Sequence, residues 1–528
     1  MGKELKTNVL IVGGGLMGVC VARELSQYEV DVILAEKEVD VGFGISKYAT
    51  GILYVGLLEA DSQIKKSALA PDAPLYDPES LRLKAVDEGY KIWEELFHTL
   101  DIPHRHQTIS IIARNSRELQ VLKQVEELTS LLGSRTPPKL MDGRSFREME
   151  PNVGQEGEIM GALVGDDAMK IDPWDAVIAV AENARDNDVR IMLNTEVQRI
   201  SRSNGLHIVE TNNGTIKTEF IVNAAGKYAD KVADMAGAQD DWNLNFINGT
   251  RFVLDKRMGE LIGGRIGWAP VPGATESMQL NPSGTIIVCC APFVPTEDRE
   301  DLKTKRQETR AAFARAQGLL PRITERDIIT SFVGITPFNA RKPAENLVEP
   351  SRNNPKFITA AIRFPGIAPS PAEAKKVVGF MADQGLRLVR KADFNLYRKG
   401  IPRFSQLSNE ERNQLISQNP RYGHVVCRCE TVTEAEIVEA IRRGSTTVQG
   451  VSFRTRAGMG RCQKGFCGPR VVKILARELG IPATEVTFKG GDSRILLYKA
   501  KELLADREEH SRFVRIPATD RVVAKAST

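Results

Sequence analysis

Three features of this 528-residue sequence together predict an α/β fold class. Asn8–Val12 reads as a buried strand that runs into Gly13-Gly14-Gly15-Leu16-Met17-Gly18. A helical pattern from about Leu16 to Tyr28 follows, then a second strand, Val30–Ala35, ending at Glu36. Alternating strand patterns across 96–150 and 240–335 interrupt the unit that this motif begins. Four cysteines stand close together near the C-terminus, among helical patterns. The expected architecture is a Rossmann-type nucleotide-binding domain with a β-rich cap of α+β type, followed by a small helical C-terminal domain.

The first element has a physical reason at each glycine. Gly13 permits a tight turn, Gly15 lets the backbone approach a pyrophosphate, and Gly18 lets helix and strand pack closely. The helix N-terminus presents free N–H groups and a dipole to an anion. Glu36, followed by Lys37, stands where a carboxylate can take both hydroxyls of an adenosine ribose. A lone glycine pattern is weak evidence, but strand, glycines, helix, strand and acid in order are specific to dinucleotides. Arg190–Val197 reads as a strand returning to the nucleotide at Val197. Phe220-Ile-Val-Asn-Ala-Ala225-Gly226 reads as a buried strand ending in small residues suited to close backbone approach.

Glu36, the segment Ile221–Asp230 and the late turn Gly366-Ile367-Ala368-Pro-Ser-Pro-Ala372 resemble the D-amino-acid-oxidase-like class of FAD oxidoreductases. The resemblance implies FAD as cofactor, with Gly366, Ile367 and Ala368 beside the flavin pyrimidine ring. It also implies that the loop Gly44–Tyr54 runs past the flavin. There Ser46, Lys47, Thr50 and Gly51 match the class, while Tyr54 stands where a histidine often does. Lys47 or Tyr54 is then the expected proton acceptor, and the six histidines read as structural or solvated. Arg251 and Arg363 suit an anionic substrate, because guanidinium pairs bidentately with carboxylate or phosphate.

The C-terminal cysteines form the pattern Cys427-x-Cys429 and Cys462-x4-Cys467. Four thiolates hold either a tetrahedral zinc or an iron–sulfur cluster. Thr433-x-x-Glu436 is a capping box opening a helix through Ile437 and Ile441. Gly450–Gly460 reads as a polar, glycine-rich approach to the second pair, and Gly468-Pro469 opens a helix from Arg470 to Leu479. Zinc ribbons usually carry two Cys-x2–4-Cys knuckles, unlike this spacing. Cys427-Arg-Cys429-Glu and Gly460-Arg-Cys462-Gln-Lys-Gly-Phe-Cys467 resemble the bacterioferritin-associated-ferredoxin-like [2Fe-2S] domain, with zinc the less favoured occupant.

An oxidase-like FAD region followed by this module is similar to the large-subunit family of anaerobic-type glycerol-3-phosphate dehydrogenases. That similarity implies oxidation of a small anionic alcohol, glycerol 3-phosphate first, by hydride transfer to flavin N5. Electrons would pass through the cluster to an acceptor protein or additional subunits. Two alternatives share the architecture. One is an amino-acid, opine or 2-hydroxy-acid dehydrogenase; the other is an electron-transfer subunit without substrate chemistry of its own.

Other properties bound these readings. The net charge of +4 gives no reason to expect nucleic acid. No apolar run reaches the ~18 residues of a membrane helix, and the chain starts straight into a strand, so a cytoplasmic protein is expected, membrane-associated only through a partner. The expected FAD-binding domain comprises 7–95, 151–239 and 336–386, and the cap 96–150 and 240–335. An ordered connector (387–422), the cluster domain (423–482) and a tail (483–528) with a helix over 495–507 complete the chain.

Overall fold

The computed structural model describes residues 4–54, 81–131, 137–155, 158–269, 277–289, 294–341, 345–361 and 366–499. At its centre Glu4–Val12 lies in a sheet with the spatial order Leu347–Pro350, Phe357–Ala361, Gly214–Asn223, Glu4–Val12, Val32–Ala35, Arg190–Met192. The inner pairs are parallel and Leu347–Pro350 is an antiparallel edge. Side-chain alternation along a strand explains the two layers. Val9 and Ile11 join a core built with the helices Leu16–Leu25, Pro173–Asp186 and Ser370–Asp383. Leu10 and Val12 point the other way, towards Val197, Val209, Val232 and Trp242. A strand buried on both faces must be apolar throughout, which is why Val9–Val12 carries no polar residue.

Among the described residues the second sheet has ten strands, and it forms the cap. Its long pair is Leu244–Leu254 with Ile328–Asn339, and His104–Ala113 pairs with Gly161–Ile171. Phe252, Leu254 and Val288 pack beneath the helix Arg306–Leu319, so Arg251 and Cys289, which pair across the strands, project from the opposite face. The strands Ile52–Tyr54 and Gly161–Ile171 belong to this sheet. The cap therefore draws on residues outside 96–150 and 240–335, because the alternating pattern of 161–171 finds its partners in strand 104–113.

Local expectations differ at four places. The first helix ends at Leu25, where Ser26 Oγ donates to the Arg23 carbonyl at 2.7 Å. Arg190–Val197 is not one strand: it breaks after Met192, and Asn194 takes a left-handed φ of 51° with its N–H bonded to Glu38 O at 2.9 Å. Within Gly450–Gly460, Val448–Thr455 is helical, capped by Thr447 Oγ1 accepting from Gly450 N at 3.1 Å. Residues 495–499 are not helical, and 500–507 lie outside the described residues.

The connector is ordered, as its mixed composition implies. Arg398 N donates to Thr99 O and Gly400 N to Asp101 Oδ2, both at 2.9 Å. The cluster module is not a separate bead. Its Phe453 ring lies 5.3 Å from Phe43 and 5.1 Å from Trp174, inside the main core. Buried ion pairs add orientation: Arg454 Nη2 to Asp40 Oδ1 at 2.9 Å, and Arg456 Nη1 to Asp172 Oδ2 at 2.7 Å, with Arg456 Nε to Glu430 Oε2 at 3.1 Å. Such pairs add little net stability but penalise any other docking, which would strand a buried charge.

Candidate active site and cofactor sites

The glycine turn fits the role assigned to it. Gly13 has φ +111°, and a Cβ there would lie 2.5 Å from the Ala224 carbonyl oxygen; a side chain at Gly18 would strike the Gly13 carbonyl. Leu16 N, at the helix start, donates to Ser46 Oγ at 3.0 Å. Glu36 is buried, and its carboxylate accepts from Gly14 N at 2.6 Å and Glu38 N at 2.8 Å. Burial raises its pKa, and the two backbone donors oppose that shift. These groups open onto a cleft of about 670 Å³, lined also by Gly15, Lys37, Lys47, Val197, Ala225 and Gly226. A glycine-lined helix N-terminus, with a carboxylate at the far strand end, fits a dinucleotide.

A smaller cavity of about 100 Å³ adjoins the cleft, sharing Leu16, Ile45, Ser46, Tyr48 and Ile335 with it. Arg251 from the cap and Gly366 and Ile367 from the late turn meet there. The turn is held by Trp93 Nε1, which donates to Ile367 O at 2.8 Å, and Ala368 is buried against Gly89. Arg251 is only 4% exposed. One guanidinium N–H is satisfied by Gly249 O at 3.0 Å, while Nε is buried without a hydrogen-bond partner. Among the described residues no carboxylate pairs with it. A side chain at Gly334 would strike this guanidinium, so that glycine leaves it room.

The other candidate residues are distributed differently. Lys47 lines the nucleotide cleft and not the Arg251 cavity, with its ammonium 5.2 Å from the Phe43 ring and 5.1 Å from that of Tyr48. Tyr54 is packed in the cap core with Ile109, Ile111 and Leu163, because strand Ile52–Tyr54 runs away from the flavin loop into the second sheet. Thr50 is buried, and Gly51 takes φ +75° where a side chain would meet the Ile171 carbonyl. Arg363 lies outside the described residues. Lys170, missed in the sequence, is 1% exposed; its Nζ donates to the carbonyls of Thr50 and Ile171, the latter at 3.2 Å. Burial lowers its pKa to about 8. The signal was a lone lysine among the apolar residues of strand 161–171.

Lys47 carries a prediction. Burial is the main cause that lowers its pKa from 10.5 to about 8; Lys489 and Lys227 push the same way and Glu38 opposes them. A bound diphosphate favours the ammonium form and so raises this pKa. FAD affinity is therefore expected to be flat below about pH 8 and to weaken above it, as binding must then take up a proton. FAD titrations across this range check the effect, and Lys47→Met should bind more weakly and lose the pH dependence.

The four cysteines lie as two neighbouring pairs, although among the described residues no group of three or more is spaced to hold a metal ion. Cys427 ends the strand Val425–Cys427, and Cys467 precedes the helix Gly468–Leu479 as its N-cap. Cys427 is hydrogen-bonded to Cys467, and Cys429 to Cys462. The bond from Cys467 pulls the Cys427 pKa down to about 6, with help from backbone N–H groups such as Gly458 N at 3.4 Å. A Cβ at Gly460 would lie 2.5 Å from Cys429 Cβ, and Gln463 and Lys464 turn through left-handed conformations at φ 45° and 76°. An all-sulfur donor set with N–H groups aimed at it suits a soft metal or an iron–sulfur cluster.

Residues 8–378 match the family described as FAD dependent oxidoreductase. The chain belongs to that family. Residues 425–477 match a BFD-like [2Fe-2S] binding domain, so this oxidoreductase carries a [2Fe-2S] cluster, and the four cysteines fall within that match. A glycerol 3-phosphate dehydrogenase of Caloramator mitchellensis is 32% identical over 504 residues, covering 93% of this chain and 98% of that protein. One component of the anaerobic glycerol-3-phosphate dehydrogenase of Haemophilus influenzae is 22% identical, over 92% of this chain and 87% of its own. The solved dithionite-reduced L-alpha-glycerophosphate oxidase of Mycoplasma pneumoniae with FAD bound superimposes with a TM-score of 0.66 at 25% identity, covering 75% of this chain and 99% of that one. Bound FAD supplies the oxidoreductase with a two-electron acceptor, and the cluster supplies a one-electron carrier. Among the described residues no helix is long and apolar enough to cross a membrane.

Proposed function

We propose that the oxidoreductase dehydrogenates glycerol 3-phosphate at its secondary alcohol, giving the ketone. Two electrons and one proton would be accepted as hydride at flavin N5, and the hydroxyl proton released to the site. The observation that carries this reading is Arg251: a buried, unpaired guanidinium facing a small cavity beside the flavin turn. A buried cation without a counter-charge is costly, and an anionic substrate removes that cost. The names of the relatives support phosphate as that anion.

Electrons would leave through the cluster to a partner protein. Phe466, between Cys462 and Cys467, is 78% exposed. In the segments that carry the cysteines Arg428, Arg470 and Lys473 are exposed, and Arg461 pairs with Asp255 Oδ2 at 3.1 Å, whereas Glu430, buried against Arg456, is the only acid in 424–433 and 456–476. This rim suits a partner with an acidic face, whose approach it would steer in a salt-dependent way. The test is anaerobic titration of the purified protein, followed at the flavin band. Glycerol 3-phosphate is expected to bleach the flavin, and proline, glycine and 2-hydroxyglutarate to leave it oxidised. Bleaching by an amino acid or hydroxy acid, with glycerol 3-phosphate inert, would assign the alternative substrate class; bleaching by none would favour a pure electron-transfer role.

A further inference from the structure

We propose that Lys489-Gly490-Gly491, beyond the cysteine module, completes the FAD site, so that the two cofactors are held cooperatively within one chain. This segment lies outside both family matches, which end at 378 and 477. It nevertheless lines the nucleotide cleft together with Glu36, Glu38, Val39 and Lys47. The contact is close. A Cβ at Gly490, which has φ +88°, would lie 2.8 Å from Val39 Cβ, directly after the strand that ends in the ribose-binding acid. Lys489 forms no ion pair with a carboxylate among the described residues, and its charge is felt by Lys47 across the cleft. Two ammonium groups repelling each other over a cleft are relieved by a diphosphate between them.

The segment is also tied to the cluster module. Val486 is fully buried in the core that contains Cys427 and Cys467. Val448 N donates to Thr487 O at 3.2 Å and Gln449 N to Phe488 O at 2.8 Å, which fixes the segment to the start of helix Val448–Thr455. Phe488 N to Ser493 O at 2.7 Å closes the loop that carries the two glycines. Any order that the cluster brings to this core is passed to a loop at the cleft. By linkage, FAD then stabilises the module by the factor with which the module stabilises FAD.

The experiment is titration of FAD into the deflavinated full-length chain, followed by quenching of flavin fluorescence, with cluster absorbance recorded on the same samples. Lys489→Glu is expected to raise the Kd for FAD by about tenfold or more, and Lys489→Arg to leave it within about threefold, because one reverses and the other keeps the charge at the phosphates. Gly490→Ala should also raise it, through the contact with Val39 Cβ and the strain of a side chain at φ +88°, while cluster absorbance on the same samples is retained, which a general loss of folding would not allow. FAD affinities of Lys489→Glu and Gly490→Ala that equal the natural chain's would overturn the assignment. A second measurement uses the unmodified chain: a chelator should strip the cluster more slowly from the FAD-loaded form than from the deflavinated form. Equal rates would overturn the cooperativity.

Discussion

Arg251→Leu is expected to lower kcat/KM for glycerol 3-phosphate by about 100- to 1,000-fold while leaving the protein as stable as before, or more so. The two effects share a cause. A charge-assisted hydrogen bond contributes roughly 1.5–3 kcal/mol, and a bidentate pair contributes two, against 1.36 kcal/mol per tenfold in rate. In the free protein the same guanidinium is a buried charge with one N–H unsatisfied, so a leucine of similar bulk removes a cost. Arg251→Lys keeps the charge but not the fork, and about a tenfold loss is expected. Glycerol, which lacks the anion, should be oxidised equally slowly by the natural and Leu forms. Steady-state kinetics and thermal unfolding of the same preparations check this. An unchanged KM for glycerol 3-phosphate in the Leu variant would remove Arg251 from the substrate site.

Cys462→Ser is expected to abolish cluster absorbance and to cut turnover with a protein acceptor by at least about 100-fold, while substrate still bleaches the flavin in a single turnover at saturating FAD. Loss of an outer partner alone costs roughly 10–100-fold in metal affinity, and serine offers no thiolate at neutral pH. Cys462 is the informative position because it lies on the more exposed side of the cluster loop, whereas Cys427 and Cys467 are buried in the module core. Rapid mixing with glycerol 3-phosphate separates the half-reactions. A variant that binds FAD yet cannot be reduced by substrate would mean that the cluster supports the first half-reaction too, against the proposed direction of electron flow.

What proved legible in the sequence was encoded locally. The strand–glycine–helix turn depends on φ at Gly13 and on a few neighbouring atoms. The capping box of Thr433 and Glu436 is a hydrogen-bond exchange over three residues. The cysteine spacing left zinc open beside an iron–sulfur cluster, and the resemblance of its flanking residues and of the class-specific turns to known families favoured [2Fe-2S] and FAD, which the family matches bear out. Misreadings arose where a distant partner overrides a local preference. Strand 161–171 looks like part of the first domain until its pairing with 104–113 assigns it to the cap. Tyr54 looks like a flavin-loop residue until that strand pulls it into the cap core.

The sequence by itself carried a dinucleotide-binding turn and a four-thiolate module, because glycine conformation, capping and ligand spacing act over a few residues, and its resemblance to known families pointed to FAD and [2Fe-2S]. Only the tertiary structure decided which charges face which cavity. Lys47 turned out to line the cleft at Gly13 and Glu36, Arg251 to stand without a carboxylate partner among the described residues beside the turn at Gly366, and Lys489 to return to the cleft begun at Gly13. Those juxtapositions join segments hundreds of residues apart. They are set by how two sheets and a helical module bury their apolar faces against one another, which no short stretch of chain specifies.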